Sequence, residues 1–425
     1  MAAVAGRPAR TGQFDVVCDA FRSLPGRFLG ADPGFDSTYL ITLCDLGQSW
    51  EVRCTTEAAR VRKDGSRRRP DVTLSTDSDT WMRLRRGEFS GVEAFQRRLL
   101  SVRGNLDHAI AFEGMFRLVG DRPPLLQIHD IPVGRHRIST LTMGEGPDVL
   151  LLHGLGGTRA SLFETAAALS RSYRVHAPDL PGFGSSCKPT LGGYNARWFA
   201  EIMLGLMDAL EIDQTHVVGN SMGGRVAIEM GLLAPDRIRA LGLLCPAVAW
   251  VKRGLHPIVR LMRPELGLLP HTVRRSVVAS QFWSLFCDRD AIDPAVLDLV
   301  VDEFQRIYHT AGARLALLAS ARNIYLEAPF GRNGFYRRLA ELRAPALFVW
   351  GSHDWLVPAA FSRHVHNWLP QAEQVTIDRC GHVPQVERPE ETNQLLLEFF
   401  ARAEAPANPA NVSARARWTP RAEAA

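Results

Sequence analysis

The sequence predicts an α/β protein: a mostly parallel, doubly wound sheet with a helical cap, preceded by a small α+β domain. Three observations predict it. Apolar, β-branched runs at 149–152, 173–177, 215–218, 240–244, 346–350 and 374–377 alternate with helical stretches, as parallel strands joined by crossover helices do. Between about 246 and 342 the strands stop and helical patterns replace them, which reads as a cap inserted on that sheet. The first 118 residues carry period-two runs and short capped helices of their own.

The N-terminal elements follow in order. Trp50-Glu51-Val52-Arg53-Cys54 and Val72-Thr73-Leu74 alternate apolar with polar residues, the mark of half-buried strands. Asp77-Ser78-Asp79-Thr80 caps a short helix that carries Trp81, Met82 and Leu84 on one side. A second helix over 90–98 carries Val92, Phe95 and Leu99, and 100–104 reads as a closing strand. Residues 12–118 are thus an α+β unit long enough for a core. The polar, proline-bearing 119–124 (Val119 to Pro124) reads as a linker. Strands at 125–129 and 137–142 then open the larger sheet of a domain spanning 125–401. Residues 405–425 are poor in bulky apolar side chains, so this tail is expected to be disordered.

Within the N-terminal unit, the succession Thr80-Trp81…Leu84…Gly87…Ala94…Leu100…Val102-Arg103-Gly104-Asn105 resembles sterol carrier protein type two, mainly over 70–116. The resemblance implies a lipid-binding α+β domain with a hydrophobic tunnel. Trp81, Leu84, Phe95 and Leu99 would line that tunnel or simply pack the core. The chain departs from the family at Asn105, where aspartate is frequent, and lacks a glycine just before the closing strand.

Gly219-Asn220-Ser221-Met222-Gly223-Gly224 is the most informative stretch of the larger domain. An apolar strand, 215–218, must turn sharply there into the amphipathic run starting at Arg225. Such a turn strains the serine backbone and lifts its hydroxyl clear of the sheet edge, beside the N–H groups of a helix N-terminus. Gly219 and Gly223 flank it because side chains would collide with neighbouring strand and helix. Downstream, Phe348-Val349-Trp350-Gly351-Ser352-His353-Asp354 is a strand breaking into a carboxylate-bearing loop, and Cys380-Gly381-His382 follows the strand at 374–377. Upstream lie Leu152-His153-Gly154-Leu155-Gly156-Gly157 and Ala177-Pro178-Asp179-Leu180-Pro181-Gly182-Phe183-Gly184.

The order Ser…Asp…His, with these two upstream signatures, resembles the α/β-hydrolase superfamily over roughly 125–401. The resemblance implies Ser221 as nucleophile, His382 as base and Asp354 as the acid that orients it. It also implies an oxyanion hole from the backbone N–H groups of Leu155 and Met222, with His153 and Gly154 ordering the loop. The end of the strand at 240–244, where some members place the acid, offers Cys245-Pro246 and no carboxylate. Asp378 stands too close to the histidine to be the usual partner; His353 and His216 default to structural roles. A serine at 221 points to acyl chemistry on an ester of an apolar, lipid-like substrate. The alternatives are a carbon–carbon bond hydrolase of the meta-cleavage type, whose elbows resemble Asn220-Ser221-Met222-Gly223-Gly224, or a lipid-binding protein with an idle hydrolase half. Val383 stands where the meta-cleavage enzymes commonly carry tryptophan.

Composition sets the outer limits. The 425 residues carry 46% hydrophobic and 22% charged side chains with a net charge of +5. That is ordinary globular composition and too weakly basic to argue for nucleic acid. The 7 cysteines are scattered and odd in number, with no paired spacing for zinc or for a disulfide framework, so reduced, buried thiols in a cytoplasmic protein are expected. No cofactor or metal motif is present: Gly154-Leu155-Gly156-Gly157 lacks a nucleotide-loop spacing. The first residues lack a signal-peptide core, Asn411-Val412-Ser413 reads as a coincidental glycosylation triplet, and no apolar run reaches membrane-spanning length. In the cap, Ile258, Val259, Leu261, Met262, Phe282, Trp283 and Phe286 are interleaved with Lys252, Arg253, Arg260, Arg263, Arg274 and Arg275. This is either a cap with a solvated basic face or a lid making peripheral membrane contact.

Overall fold

The computed structural model describes residues 10–64, 69–250, 259, 263–270 and 273–405. The leading residues, the expected tail from 406 on with its triplet at Asn411, and the cap residues Lys252, Arg253, Ile258, Arg260, Leu261 and Met262 lie outside these.

The N-terminal sheet comprises β1 (Asp36–Leu43), β2 (Gln48–Thr55), β3 (Ala59–Lys63), β4 (Val72–Thr76) and β5 (Ser101–Gly104) in the order β3-β2-β1-β4-β5. β1 and β4 run parallel and the other neighbours antiparallel. The central strand, β1, is not among the strands expected from sequence. Burial alternates from Tyr39 to Leu43, but polar Ser37 and Thr38 are also buried and apolar Leu40 stands on the less buried face, so the residue types do not show the alternation of a half-exposed strand. Asp77 caps the helix Ser78–Arg86, accepting the Thr80 N–H at 2.8 Å, and Gly87 closes it at φ 65. The next helix is shorter than expected, Gly91–Gln96, because its capping box (Ser90 with Glu93) sets the start and Arg97 already leaves the helix. Asn105, the departure from the sterol-carrier pattern, caps a further helix, Leu106–Gly114, through the His108 N–H. Asparagine serves an N-cap as well as aspartate. Phe21, on the helix Arg10–Arg22, is stacked between Trp50 and Trp81 at 4.2 and 4.7 Å, which anchors this core.

The larger sheet contains β6 (Leu126–Val133), β7 (His136–Met143), β8 (Asp148–Leu152), β9 (Arg174–Pro178), β10 (Thr215–Asn220), β11 (Ile238–Leu244), β12 (Ala346–Gly351) and β13 (Glu373–Ile377). Its order is β13-β12-β11-β10-β8-β9-β7-β6. Pairs from β8 to β13 are parallel; β7 pairs antiparallel with β6 and β9. β10 and β12 are buried along their whole length, as strands covered by helices on both faces must be. Between β11 and β12 the described residues form helices, among them Arg275–Trp283, Pro294–Tyr308 and Ala311–Tyr325, and no strand.

Residues 119–124 are tied down. Val119 N–H donates to the Arg85 carbonyl and Leu118 N–H to that of Arg122, each at 2.9 Å. Val92, Leu106 and Ile110 share one hydrophobic cluster with Leu126, Leu141, Leu162 and Ala166, so the N-terminal unit and the larger sheet bury apolar surface against each other. No helix of the described residues is long and apolar enough to cross a membrane.

Candidate active site

β10 delivers Ser221 to the start of the helix Met222–Leu233 with φ 53 and ψ −114, a conformation that ordinary L-residues avoid. The strain persists because its surroundings permit nothing else. A Cβ on Gly219 would stand 2.4 Å from the Gly223 carbonyl carbon, and one on Gly223 would stand 2.1 Å from the Leu152 carbonyl oxygen. The Ser221 N–H donates to the Leu244 carbonyl at 2.9 Å, locking the elbow to β11.

The loop after β12 supplies Asp354 and the loop after β13 supplies His382. Both are buried, and His382 Nδ1 meets Asp354 Oδ2 at 2.7 Å. Asp354 Oδ1 accepts the N–H groups of Leu356 and Val357 at 2.8 and 2.9 Å, so the carboxylate is held in one orientation. Asn220, beside the serine, ties the elbow to the histidine loop: its Nδ2 donates to the carbonyls of Leu244 and His382 at 3.1 and 3.2 Å. Sequence reasoning gave Asn220 no such role, since a tether to a loop 162 residues away leaves no local signal.

His153 lies fully buried after β8. Its Nε2 accepts the Leu180 N–H at 2.9 Å, which puts the ring proton on Nδ1, 2.8 Å from the Gly154 carbonyl. Burial lowers the pKa of this imidazole, so it ties its loop to the end of β9 as a neutral group. Neither the Leu155 nor the Met222 N–H finds an acceptor among the described residues. Gly154 allows the close approach of the two segments: a Cβ there would lie 3.4 Å from that of Ser221. His216 is sealed against Glu404 at 2.8 Å and stacked on Phe400. His353 bonds to its neighbour Ser352, which also reaches Asp378.

A cavity of about 500 Å³ joins these residues to the rest of the chain. Ser221, Met222, Leu155 and His382 line it, as do Phe282, Phe286 and Phe304 of the cap. Trp81, Leu84 and Phe95 line it from the N-terminal domain; Leu100, rather than the expected Leu99, is the next. Among the described residues, Cys245, Asp354 and His382 form the one group with ligand atoms close enough for a metal, within 4.8 Å. Burial and the Asp354 charge push the Cys245 thiol well above its ordinary pKa, whereas a metal takes a thiolate. The cysteines are free, though not all are buried as expected: Cys44 is exposed.

Residues 149–395 match the Alpha/beta hydrolase family. The chain belongs to that family. Residues 34–117 match the SCP-2 sterol transfer family, so this hydrolase carries a lipid-carrier-like domain in front of its catalytic fold. The 2-hydroxymuconate semialdehyde hydrolase of Pseudomonas putida is 30% identical over 297 residues, covering 65% of this chain and 95% of the relative. The dihydrolipoyllysine-residue acetyltransferase component of the acetoin cleaving system of Pseudomonas putida is 31% identical over 257 residues. That match covers 60% of this hydrolase and 64% of the relative, so the chain spans under two thirds of its length. Among solved structures, a membrane phospholipase A described as a bacterial virulence factor is 26% identical with a TM-score of 0.57, over 66% of this chain and 88% of that one.

Proposed function

We propose that this chain hydrolyses a carboxylic ester of an apolar, lipid-like substrate through Ser221, His382 and Asp354. The observation that carries the reading is the single cavity that exposes Ser221 and His382 to an apolar space continuing into the lipid-carrier-like domain. In this reading Asp354 holds the His382 Nδ1 proton, which leaves Nε2 free to take the Ser221 proton as the hydroxyl attacks the ester carbonyl. The imidazolium then returns that proton to the departing alcohol, and water releases the acyl group by the same route. The tetrahedral oxyanion sits between the N–H groups of Leu155 and Met222, worth about 2.7–4 kcal/mol each.

The apolar walls favour an extended acyl or alkyl chain, and the N-terminal domain gathers such a lipid and presents it to Ser221. Free cysteines suit a reducing, cytoplasmic setting. The phospholipase likeness supports ester chemistry. The likeness to 2-hydroxymuconate semialdehyde hydrolase keeps carbon–carbon bond cleavage as a second reading, against which stand Val383 beside the base and the reach of the cavity into the N-terminal domain.

The test is a p-nitrophenyl ester series of rising chain length, run on the wild type and Ser221→Ala. Rates rising with length, and a loss of about a thousandfold or more in the variant, are expected. Equal rates for the two proteins would overturn the assignment.

A further inference from the structure

We propose that the N-terminal end of the cavity is an anion subsite built on Arg85, and that the substrate is a long-chain ester whose far end carries a carboxylate. The proposal deepens the ester-hydrolase reading and rests on it for the kinetic arm of its test. Arg85 lies in the last turn of the helix Ser78–Arg86, lines the cavity and is only 6% exposed. Its Nε has no hydrogen-bond partner, and no carboxylate pairs with its guanidinium among the described residues.

A buried cation without a counter-charge is expensive, and folded proteins rarely keep one unless something supplies the anion. The neighbouring charge makes matters worse. Arg27, whose Nη1 bonds the Leu118 carbonyl at 2.7 Å, adds like charge beside it. Burial and Arg27 together draw the Arg85 pKa down to about 10, which still leaves it charged at neutral pH.

The other unsatisfied groups at this end are donors too. Trp81, on the same helix face one turn earlier, and Gln96 both line the cavity, and their Nε1 and Nε2 lack an acceptor among the described residues. The carboxyl groups sharing the cavity do not answer this need. Glu113 accepts the Gly91 N–H at 2.6 Å, and Glu303 is bonded to Arg306. Burial pushes both Glu113 and Glu164 up to about 7, so neither is a full anion at neutral pH. A surplus of buried donors and positive charge, supplied by the N-terminal domain to an apolar cavity that Ser221 also lines, fits a chain bearing an ester at one end and a carboxylate at the other.

The test compares mono-p-nitrophenyl esters of long dicarboxylic acids with p-nitrophenyl esters of monocarboxylic acids of equal length. It is run on the full wild-type chain, Arg85→Gln and Arg85→Lys. Because hydrogen bonds to charged groups are involved, the wild type is expected to prefer the anionic series by about tenfold to a hundredfold in kcat/KM. The preference should fall towards one in Arg85→Gln and survive in part in Arg85→Lys. A wild-type ratio near one, or a ratio unchanged in Arg85→Gln, overturns the proposal.

A second arm needs no catalysis. Hexadecanoate should bind Ser221→Ala more tightly than hexadecanol does, and Ser221→Ala/Arg85→Gln should lose that margin; equal binding of acid and alcohol to Ser221→Ala overturns the subsite. Should the wild type hydrolyse no ester at all, the ester reading fails while this arm still decides the subsite. Melting of the ligand-free protein controls for folding. Arg85→Gln should melt no lower than the wild type, and a clear fall would mean that Arg85 has a structural counter-ion, which also sinks the proposal.

Discussion

Removing the charge of Arg159 tests how the two domains are held together. Its side chain is 1% exposed; Nη2 meets Asp107 Oδ1 at 3.0 Å, while Nη1 meets Asp179 Oδ2 at 3.3 Å and Ser139 Oγ at 3.0 Å. Asp107 belongs to the N-terminal domain and Asp179 to the loop after β9, so one guanidinium bridges the two. The side chains of both aspartates are themselves 8% and 0% exposed. Burial works against ionisation of Asp107, but Arg159, the Ser185 hydroxyl and Arg306 outweigh it and hold the carboxyl below its ordinary value. Arg159→Met keeps most of the volume and strands two carboxylates. Arg306 is still 3.5 Å from Asp107 and Lys188 still acts on Asp179, so the lower end of the usual cost, about 3 kcal/mol, is the sensible expectation. The melting entropy scales with length, so for a chain of 425 residues the shift is about 1 °C per kcal/mol, and melting should fall by about 3 °C, read by calorimetry at neutral pH. Adding Asp107→Asn should recover about 1 kcal/mol or more of that loss, since the pair is in direct contact. A variant melting within about 1 °C of the wild type would show that water reaches these ions and would refute the bridge.

Three further outcomes follow from the same geometry. Gly223→Ala must push its new methyl into the Leu152 carbonyl, 2.1 Å away; displacing the elbow by about 1 Å should cut kcat about a hundredfold, and normal turnover would mean the turn is not needed. Asp354→Asn should retain the fold, since an amide oxygen can still accept the Leu356 and Val357 N–H groups. It should drop kcat by about ten-thousandfold through the wrong His382 tautomer, and a loss below tenfold would remove Asp354 from the relay. Glu113 and Glu164 have carboxyls raised from 4.5 to about 7, so between those values the folded state keeps protons that the unfolded chain has lost. Their contribution is whole below pH 4.5 and declines by up to about 1.4 kcal/mol per pH unit for each group as the pH rises to about 7, then levels off. Melting of wild type against Glu113→Gln from pH 4 to 8 should show a flatter profile for the variant; identical slopes would contradict the burial argument.

Much of the fold was legible because parallel strands buried on both faces read as apolar runs: β8, β10, β11 and β12 all begin and end near their sequence expectation, and the edge strand β13 is placed by Val375 and Ile377 alternating with polar residues. β1 was not legible, because buried polar Ser37 and Thr38 and the apolar Leu40 on the less buried face blur the period-two pattern of residue types. Of the site, the elbow stood out because glycine is demanded wherever backbone approaches backbone, and that demand is written in the residue itself. Asn220, Arg159 and Arg85 carried no such mark, for the partners of the first two lie far along the chain and Arg85 has no carboxylate partner among the described residues.

By itself, then, the sequence determined the strand and helix alternation, the strained serine turn and the strand ends that bear Asp354 and His382, all set by local steric and hydrophobic rules. Only the tertiary structure decided that one cavity is lined by both Ser221 and Trp81, that Arg159 is sealed between two domains and that Arg85 has no counter-charge among the described residues. Those properties depend on which surfaces exclude water when the domains pack, and desolvation is a property of the packed molecule that no local stretch of chain contains.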